Sequence, residues 1–121
     1  MQDVINGIGI DIVEIKKIED AIKKWGDGFL KKVFTQEEIK YCRSRRFPGV
    51  HFASRFAAKE AIAKALGTGF WRKGLKWTDF EIVKTEQGGV EVQLKGRKIL
   101  ISMSHCTEYA VANAIVYQKG I

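Results

Sequence analysis

The sequence has few of the residues that cross-link a chain, interrupt it or carry it through a membrane. Its 121 residues include one proline, Pro48, and two cysteines, Cys42 and Cys106. Two cysteines without metal-site spacing exclude a disulfide framework and favour a reducing compartment. No apolar run approaches the roughly 18 residues of a membrane span, and the N-terminus lacks the pattern of a signal peptide. We therefore expect a cytoplasmic protein that does not associate with membranes.

Hydrophobic residues and positive charge are plentiful instead. Hydrophobic residues make up 45% of the chain, and the formal net charge is +7. A chain of this length buries roughly two thirds of its unfolded surface, and we see no repeat or linker, so residues 1–121 are expected to form one domain. The charge predicts an acidic partner, which leaves nucleic acid, an anionic membrane, a phosphate-rich small molecule or an acidic protein open.

The stretch Arg55–Gly69 carries the strongest helical pattern. Ala, Lys, Glu and Leu dominate it, and Gly67 is suited to the left-handed residue that ends a helix. On a helical wheel Lys59 falls in the middle of an apolar sector with Arg55 beside it. One interpretation is that both cations pass along the core with their charged ends in water. The other is that they serve a binding site.

Two further sides of this helix have a distinct character. Glu60 and Lys64 share one stripe, because residues four apart face the same way. A smooth third side, where another backbone could approach closely, is formed by Ala57, Ala61 and Ala65.

Residues 4–13 are predicted to form the first strand. Alternation puts three isoleucines, at positions 8, 10 and 12, on one face. Gly7, Gly9 and Asp11 take the other face, so we expect Asp11 to point outward with open space beside it. The alternative is that Gly9 marks a bulge and Asp11 is an ordinary surface acid.

Two more helices are predicted before the Arg55 stretch. Residues 15–25 have an apolar stripe and a mostly basic outer side, and Gly26 and Gly28 are expected to end this helix. Thr35 and Glu38 form a capping box that opens a helix reaching about Arg46. Pro48 and Gly49 are then expected to break the helix. The basic side of the first helix consists of Lys16, Lys17, Lys23 and Lys24.

The second half of the chain is predicted to be mainly strands. Alternating apolar residues flank Gly88 and Gly89, which is a hairpin signal. Further strands are expected at 99–103 and 109–117, with the segment Ser104–Glu108 between them. The function of the loop Phe70–Trp77 cannot be assigned. Helices followed by antiparallel strands predict an α+β fold, with the N-terminal helices packed on a mainly antiparallel sheet.

Asp11, Glu60 and His105 are candidate site residues from three separate segments. Two carboxylates can hold Mg²⁺, which fills its shell with waters and substrate phosphates. Three basic residues, Arg55, Lys59 and Lys64, could neutralise phosphate charge, and a turn at Thr68 and Gly69 could bring backbone close to a ligand. These elements indicate phosphoryl transfer, a chemistry that depends on positioning and charge stabilisation.

Four motifs, in order, resemble the holo-acyl-carrier-protein synthase family, the small bacterial type of 4′-phosphopantetheinyl transferase. Together they cover nearly the whole chain, and their combination is far more specific than any one of them. They are GIGIDIV at 7–13, FTQEE at 34–38, RFAAKEA at 55–61, and SMSH at 102–105 followed by YA at 109–110.

The resemblance implies a reaction and the residues that perform it. Coenzyme A would donate its 4′-phosphopantetheine arm to a serine of acyl carrier protein, with release of adenosine 3′,5′-bisphosphate, in support of fatty acid biosynthesis. Asp11 and Glu60 match the family's metal ligands, and Lys64 matches its pyrophosphate-contacting lysine. Ser104 and His105 lie in the motif near the nucleotide. The coenzyme-binding set implied by the resemblance is Arg55, Lys59, Lys64, Gly67, Thr68, Gly69, Ser104 and His105.

The resemblance also implies partners. Family members of this size are homotrimers with coenzyme A at the subunit interface, and their carrier-binding surface includes the first helix. The lysines of that helix would face an acidic acyl carrier protein. Cys106 stands where the family has a hydroxyl residue more often.

Two alternatives have different requirements. A small nucleic-acid-binding module would need basic residues clustered with exposed aromatics on one surface, whereas here the cations are dispersed. A structural subunit without catalysis would make Asp11, Glu60 and His105 incidental.

Overall fold

The computed structural model describes residues 4–67, 75–94 and 96–118. Predictions for Thr68, Gly69 and the first part of the Phe70–Trp77 loop lie outside these residues. No helix within the described ranges is long and apolar enough to cross a lipid bilayer.

The predicted α+β fold is confirmed, with helices between the first strand and the remaining strands. One antiparallel sheet has the order β1-β5-β4, and β2 and β3 form a separate hairpin. A 3₁₀ turn at Trp77–Asp79 precedes the hairpin. The elements are β1 Ile5–Glu14, α1 Ile15–Trp25, α2 Asp27–Val33, α3 Gln36–Arg43, α4 Pro48–Leu66, β2 Glu81–Lys84, β3 Val90–Gln93, β4 Ile99–His105 and β5 Tyr109–Tyr117.

Helix α4 is the centre of the molecule. It begins at Pro48, whose fixed φ suits the first turn of a helix. Gly67 ends it with φ 74°, in the left-handed region that the sequence predicts. Eleven of its 19 residues are buried, so the helix lies inside the protein and has no single solvated face.

The small residues of β1 and α4 bring the two backbones together. A Cβ atom at Gly9 would collide with the carbonyl oxygen of Ala61, and one at Gly7 would collide with that of Ala65. The predicted smooth alanine side of the helix is therefore confirmed, and β1 is what packs on it. Only glycine allows this approach, because any side chain would push the strand away from the helix.

This packing overturns the expected orientation of β1. The face that carries Asp11 is turned towards α4, and the predicted open space beside Asp11 is filled by the helix backbone. Ile8, Ile10 and Ile12 are instead exposed, at 72%, 61% and 63%. Alternation identified the two faces correctly but could not tell which of them meets the helix.

Several boundaries also differ from the predictions. Residues 27–33 form the unpredicted helix α2, which contains Gly28, because two turns are too short to give a clear period. Helix α3 ends at Arg43. Strand β4 continues through Ser104 and His105, which pair with Val111 and Ala110 of β5. Register pairing therefore keeps these two residues extended.

Candidate active site

The first functional cluster consists of Asp11, Glu60 and Lys64, which we call the carboxylate cluster. The Lys64 ammonium donates to Asp11 Oδ1 at 3.2 Å and to the carbonyl oxygen of Ile10 at 2.9 Å. The glycines of β1 allow this meeting, since they bring the strand close to α4. The Lys64 side chain remains 55% exposed, whereas that of Asp11 is 18% exposed. The Asp11 side of the cluster is thus mostly buried, and the Lys64 side is open to solvent.

Glu60 experiences the charge of this cluster. Burial raises the pKa of Glu60, the Asp11 carboxylate raises it further, and Lys64 opposes both effects. Two carboxylates that repel each other at one site form a donor set that a hard divalent cation would neutralise. Within residues 4–67, 75–94 and 96–118, no larger group of His, Cys, Asp and Glu side chains is arranged to hold a metal.

The second functional cluster surrounds His51 of α4, and we call it the basic cluster. Burial lowers the pKa of His51, and the other four basic residues of the cluster lower it further. They come from α4, the segment before it, β4 and β2, so the fold gathers positive charge from four places in the chain. The four residues, in the order of their effect, are Arg55, Arg45, His105 and Lys84.

Arg55 is the buried member of the basic cluster. It is 2% exposed, and its guanidinium lies 4.5 Å from the centre of the Tyr41 ring. One terminal nitrogen donates to the carbonyl oxygen of His51 at 3.4 Å. Its Nε has no hydrogen-bond partner among the described residues. A buried donor without an acceptor is costly, and the unpaired Nε lies inside the fold, out of contact with solvent.

A cleft lies between the β2–β3 hairpin and β4, and its β4 wall ends one residue before Ser104. Its volume is about 280 Å³. Ser104 and His105 are both exposed at the end of β4. The hairpin wall is formed by Lys84, Gly88, Gly89 and Val90, and the opposite wall by Ile101, Ser102 and Met103.

Lys59 has a different environment from the one expected of a coenzyme ligand. Its side chain is 0% exposed and its ammonium lies 2.7 Å from Glu38 Oε1. It also donates to three backbone carbonyl oxygens at 2.9–3.0 Å, those of Val33, Trp77 and Phe80. Lys59 therefore neither extends to water nor presents charge to a ligand, and in this structure it is an internal link. We call it and its four partners the Lys59 network.

The structure thus groups the predicted site residues unequally. Asp11, Glu60 and Lys64 meet, whereas Arg55 and His105 belong to the basic cluster. Gly67 is exposed at the end of α4, and Thr68 and Gly69 lie outside the described residues. His51 and Lys84 are not among the site residues predicted from the sequence. The spacing of His51 and Arg55, four residues apart on one helix, was the available signal.

Two neighbouring carboxylates, a half-exposed lysine and a separate basic cluster on an α+β fold suit a protein that transfers a phosphate-linked group. The model of the 4′-phosphopantetheinyl transferase superfamily matches residues 7–114. This match covers most of the chain, which belongs to that family. The family predicted from the four sequence motifs is therefore confirmed.

Individual relatives agree with this assignment. The holo-[acyl-carrier-protein] synthase of Protochlamydia amoebophila is 48% identical over 117 residues, covering 90% of this chain and 95% of its own. The crystal structure of the Bacillus anthracis synthase in complex with CoA (3′,5′-ADP) has a TM-score of 0.84 at 32% identity. The match covers 95% of this chain and 98% of the Bacillus anthracis chain. The Helicobacter pylori synthase in complex with coenzyme A has a TM-score of 0.81 at 32% identity. That match covers 90% of this chain and 98% of the Helicobacter pylori chain.

Proposed function

We propose that this chain transfers the 4′-phosphopantetheine group of coenzyme A to a serine of an acyl carrier protein, in support of fatty acid biosynthesis in the cytoplasm. The observation that carries the proposal is the carboxylate cluster in a member of this family. Its relatives include proteins named as holo-[acyl-carrier-protein] synthases and structures with bound coenzyme A.

Asp11 and Glu60 are the residues that would hold Mg²⁺. Their carboxylate oxygens are the donors that this cation prefers, and one or two protein carboxylates suffice when phosphates and waters complete the shell. The raised pKa of Glu60, caused partly by Asp11, supports a site that favours added positive charge. When bound, the cation would neutralise charge on the coenzyme's diphosphate.

Lys64 and Glu60 then have separate tasks. The Lys64 ammonium is half exposed, so it can turn from Asp11 to donate to a diphosphate oxygen. The proton of the carrier serine would pass to the Glu60 carboxylate or to a water held by the metal, since bound cations lower the pKa of coordinated water. The serine oxygen forms the new bond to phosphorus, and the bond to adenosine 3′,5′-bisphosphate breaks.

The basic cluster would bind the nucleotide end of coenzyme A. The adenosine carries two phosphate groups in the product, and charge-assisted hydrogen bonds from arginine suit such groups. Arg55 is 2% exposed, so it would act on these phosphates through its positive charge. His105 belongs to this cluster, and Ser104 lies between it and Met103 of the cleft wall on β4, so both would complete the proposed coenzyme site.

The basic side of α1 would dock the carrier. All four of its lysines are exposed, and Lys17 alone forms a long ion pair, with Glu14 at 3.7 Å. Exposed charges steer an acidic partner over a Debye length of about 8 Å at physiological salt. Replacing Lys16 and Lys17 by Glu should therefore raise the KM for carrier more than that for coenzyme A. An unchanged carrier KM at low salt would remove α1 from the docking surface.

The exposed face of the three-stranded sheet supports a homotrimer. Ile8 pairs with Ile115, and Ile115 pairs with the exposed Leu100. The isoleucines at positions 10 and 12 continue this apolar surface along the edge strand. Contiguous exposed apolar surface of this kind marks an interaction site, and further copies of this chain are the proposed occupants. Light scattering should give three times the mass of one chain, and Ile10→Lys should lower it.

One assay tests the proposed reaction. The chain is incubated with coenzyme A, Mg²⁺ and apo acyl carrier protein, and the carrier is weighed by mass spectrometry. The expected result is a gain equal to one 4′-phosphopantetheine group, dependent on Mg²⁺. A carrier of unchanged mass under conditions in which a known synthase modifies it would reject the function. Binding of nucleic acid by the same inactive sample would favour the nucleic-acid module instead.

A further inference from the structure

The Lys59 network joins parts of the chain that are distant in sequence. Its carbonyl acceptors end α2, lie in the 3₁₀ turn and precede β2. Glu38 brings in α3: its Oε1 also accepts the backbone N–H of Thr35 at 2.8 Å. Its Oε2 accepts the backbone N–H of Ile82 at 2.8 Å. Both oxygens of a completely buried carboxylate are thus used to fix backbone.

The network holds the start of β2 from both sides. Lys59 binds the carbonyl oxygen of Phe80, and Glu38 binds the N–H of Ile82, so the strand's first residues are attached to α4 and α3. Thr35 adds a third attachment, because its hydroxyl donates to Glu81 Oε2 at 2.5 Å. Lys84 follows Ile82 by two residues and therefore lies on the same side of the strand.

Lys84 belongs to the basic cluster and to one wall of the 280 Å³ cleft. The opposite wall belongs to β4, which lies in the other sheet. The width of the cleft therefore depends on how the hairpin is held against the helices. Within the described residues, the Lys59 network supplies the buried polar contacts that do this.

We propose that Lys59 is a positioning residue, which acts through Glu38 and the start of β2 to set the hairpin wall of the coenzyme's nucleotide site. This inference rests on the proposed function, since it takes coenzyme A as the ligand of the cleft. It differs from the sequence-based expectation, in which Lys59 contacts the coenzyme itself. A lysine is suited to this task because its ammonium presents three donors in a tetrahedral arrangement and can bridge several acceptors.

The test compares Lys59→Met with two other variants. Methionine keeps the length of the side chain and removes its donors. Glu38→Gln keeps an oxygen for Lys59 and Thr35 but presents an amide NH2 group to the Ile82 N–H. It therefore removes the attachment between Glu38 and Ile82 and the negative charge beside Lys59, and it keeps the ammonium of Lys59. Ile62→Ala is the matched control: it removes packing from the fully buried neighbouring turn of α4 without touching the network. All kinetics are measured at a temperature at which every variant is folded by circular dichroism.

We expect the KM for coenzyme A to rise about tenfold in Lys59→Met and by a smaller factor in Glu38→Gln, with kcat and the carrier KM little changed. Ile62→Ala should lose stability without this change in KM. If Lys59→Met does not fold, Glu38→Gln carries the comparison. A coenzyme KM that moves no more than in Ile62→Ala, or an equal effect on kcat and carrier KM, would overturn the proposal.

Hydrogen exchange gives a readout that does not depend on turnover. In Lys59→Met the amides of β2 and β3 should exchange faster, while those of β1 and β5 keep their protection. A wild-type chain without transferase activity would reject the proposed function, and the exchange pattern would still test the attachment. Faster exchange spread evenly over both sheets would contradict a specific link to the hairpin.

Discussion

Lys59 and Lys64 lie on the same helix, five residues apart, and yet they have opposite environments. Lys59 is completely buried, and its ammonium lies within 3.0 Å of four oxygen atoms. Lys64 is half exposed: its ammonium binds Asp11 and is also open to solvent. Rotation of about 100° per residue explains this, because five residues turn a side chain to a different side of the helix. A lysine with every partner inside the fold serves the fold, and one with an exposed ammonium is available to a ligand.

The largest expected effect tests whether the open side is the catalytic one. Asp11→Asn and Glu60→Gln should each lower kcat by about a hundredfold or more, because each loses a charged oxygen needed for the cation or the serine proton. Steady-state kinetics at varied Mg²⁺ measures this. Thermal unfolding serves as the control, since both variants should remain folded. Near-wild-type turnover at low Mg²⁺ would remove these residues from the reaction.

The second prediction concerns stability and compares the two lysines directly. Lys59→Met leaves the buried Glu38 carboxylate without its partner and should cost about 3–5 kcal/mol. Lys64→Met breaks a partly exposed pair and should cost about 1 kcal/mol or less. Urea denaturation of both variants at neutral pH measures the difference. Equal losses in the free energy of unfolding would contradict the assignment of Lys59 to the fold and of Lys64 to the ligand site.

The third prediction concerns the basic cluster. His105→Ala should raise the KM for coenzyme A and leave a substantial kcat, because His105 belongs to the basic cluster proposed to bind the nucleotide and lies in a separate cluster from Glu60. Loss of uniform binding behaves this way, whereas loss of a group that acts in the transition state lowers kcat. Kinetics with coenzyme A varied at saturating carrier distinguishes the two. A fall in kcat of about a hundredfold with unchanged KM would make His105 the acid–base candidate.

The smallest expected effect is the pH dependence of stability at Glu60. Folding raises its pKa above the ordinary value of 4.5, so the ionised form disfavours the folded state. The stability associated with Glu60 is complete below pH 4.5 and is lost as pH rises through the raised pKa. Glu60→Gln should therefore be more stable than wild type at pH 7, and the gap should close below pH 4.5. Glu86→Gln, at an exposed turn, is the control, and a gap that widens in acid would contradict the prediction.

Local patterns predicted much of the secondary structure. The helix at 15–25, the Thr35–Glu38 capping box, the hairpin around Gly88 and the strand at 109–117 all follow from short-range chemistry. Such features are visible in the sequence because capping, turn residues and periodicity act over only a few positions. The two-turn helix α2 was missed for the same reason, since it offers too few positions to establish a period.

The motifs, the helix that carries Glu60 and Lys64, and the two faces of β1 can be predicted from the sequence alone. Three features follow only from the folded structure: Asp11 faces α4, Lys59 is buried against Glu38, and His51 lies among basic residues from four segments. The physical reason is that burial and partnership depend on contacts between residues far apart in the chain, 54 positions in the case of Lys64 and Ile10. A side chain's position on a helical wheel gives its direction, but the neighbour that it meets in that direction comes from elsewhere in the chain.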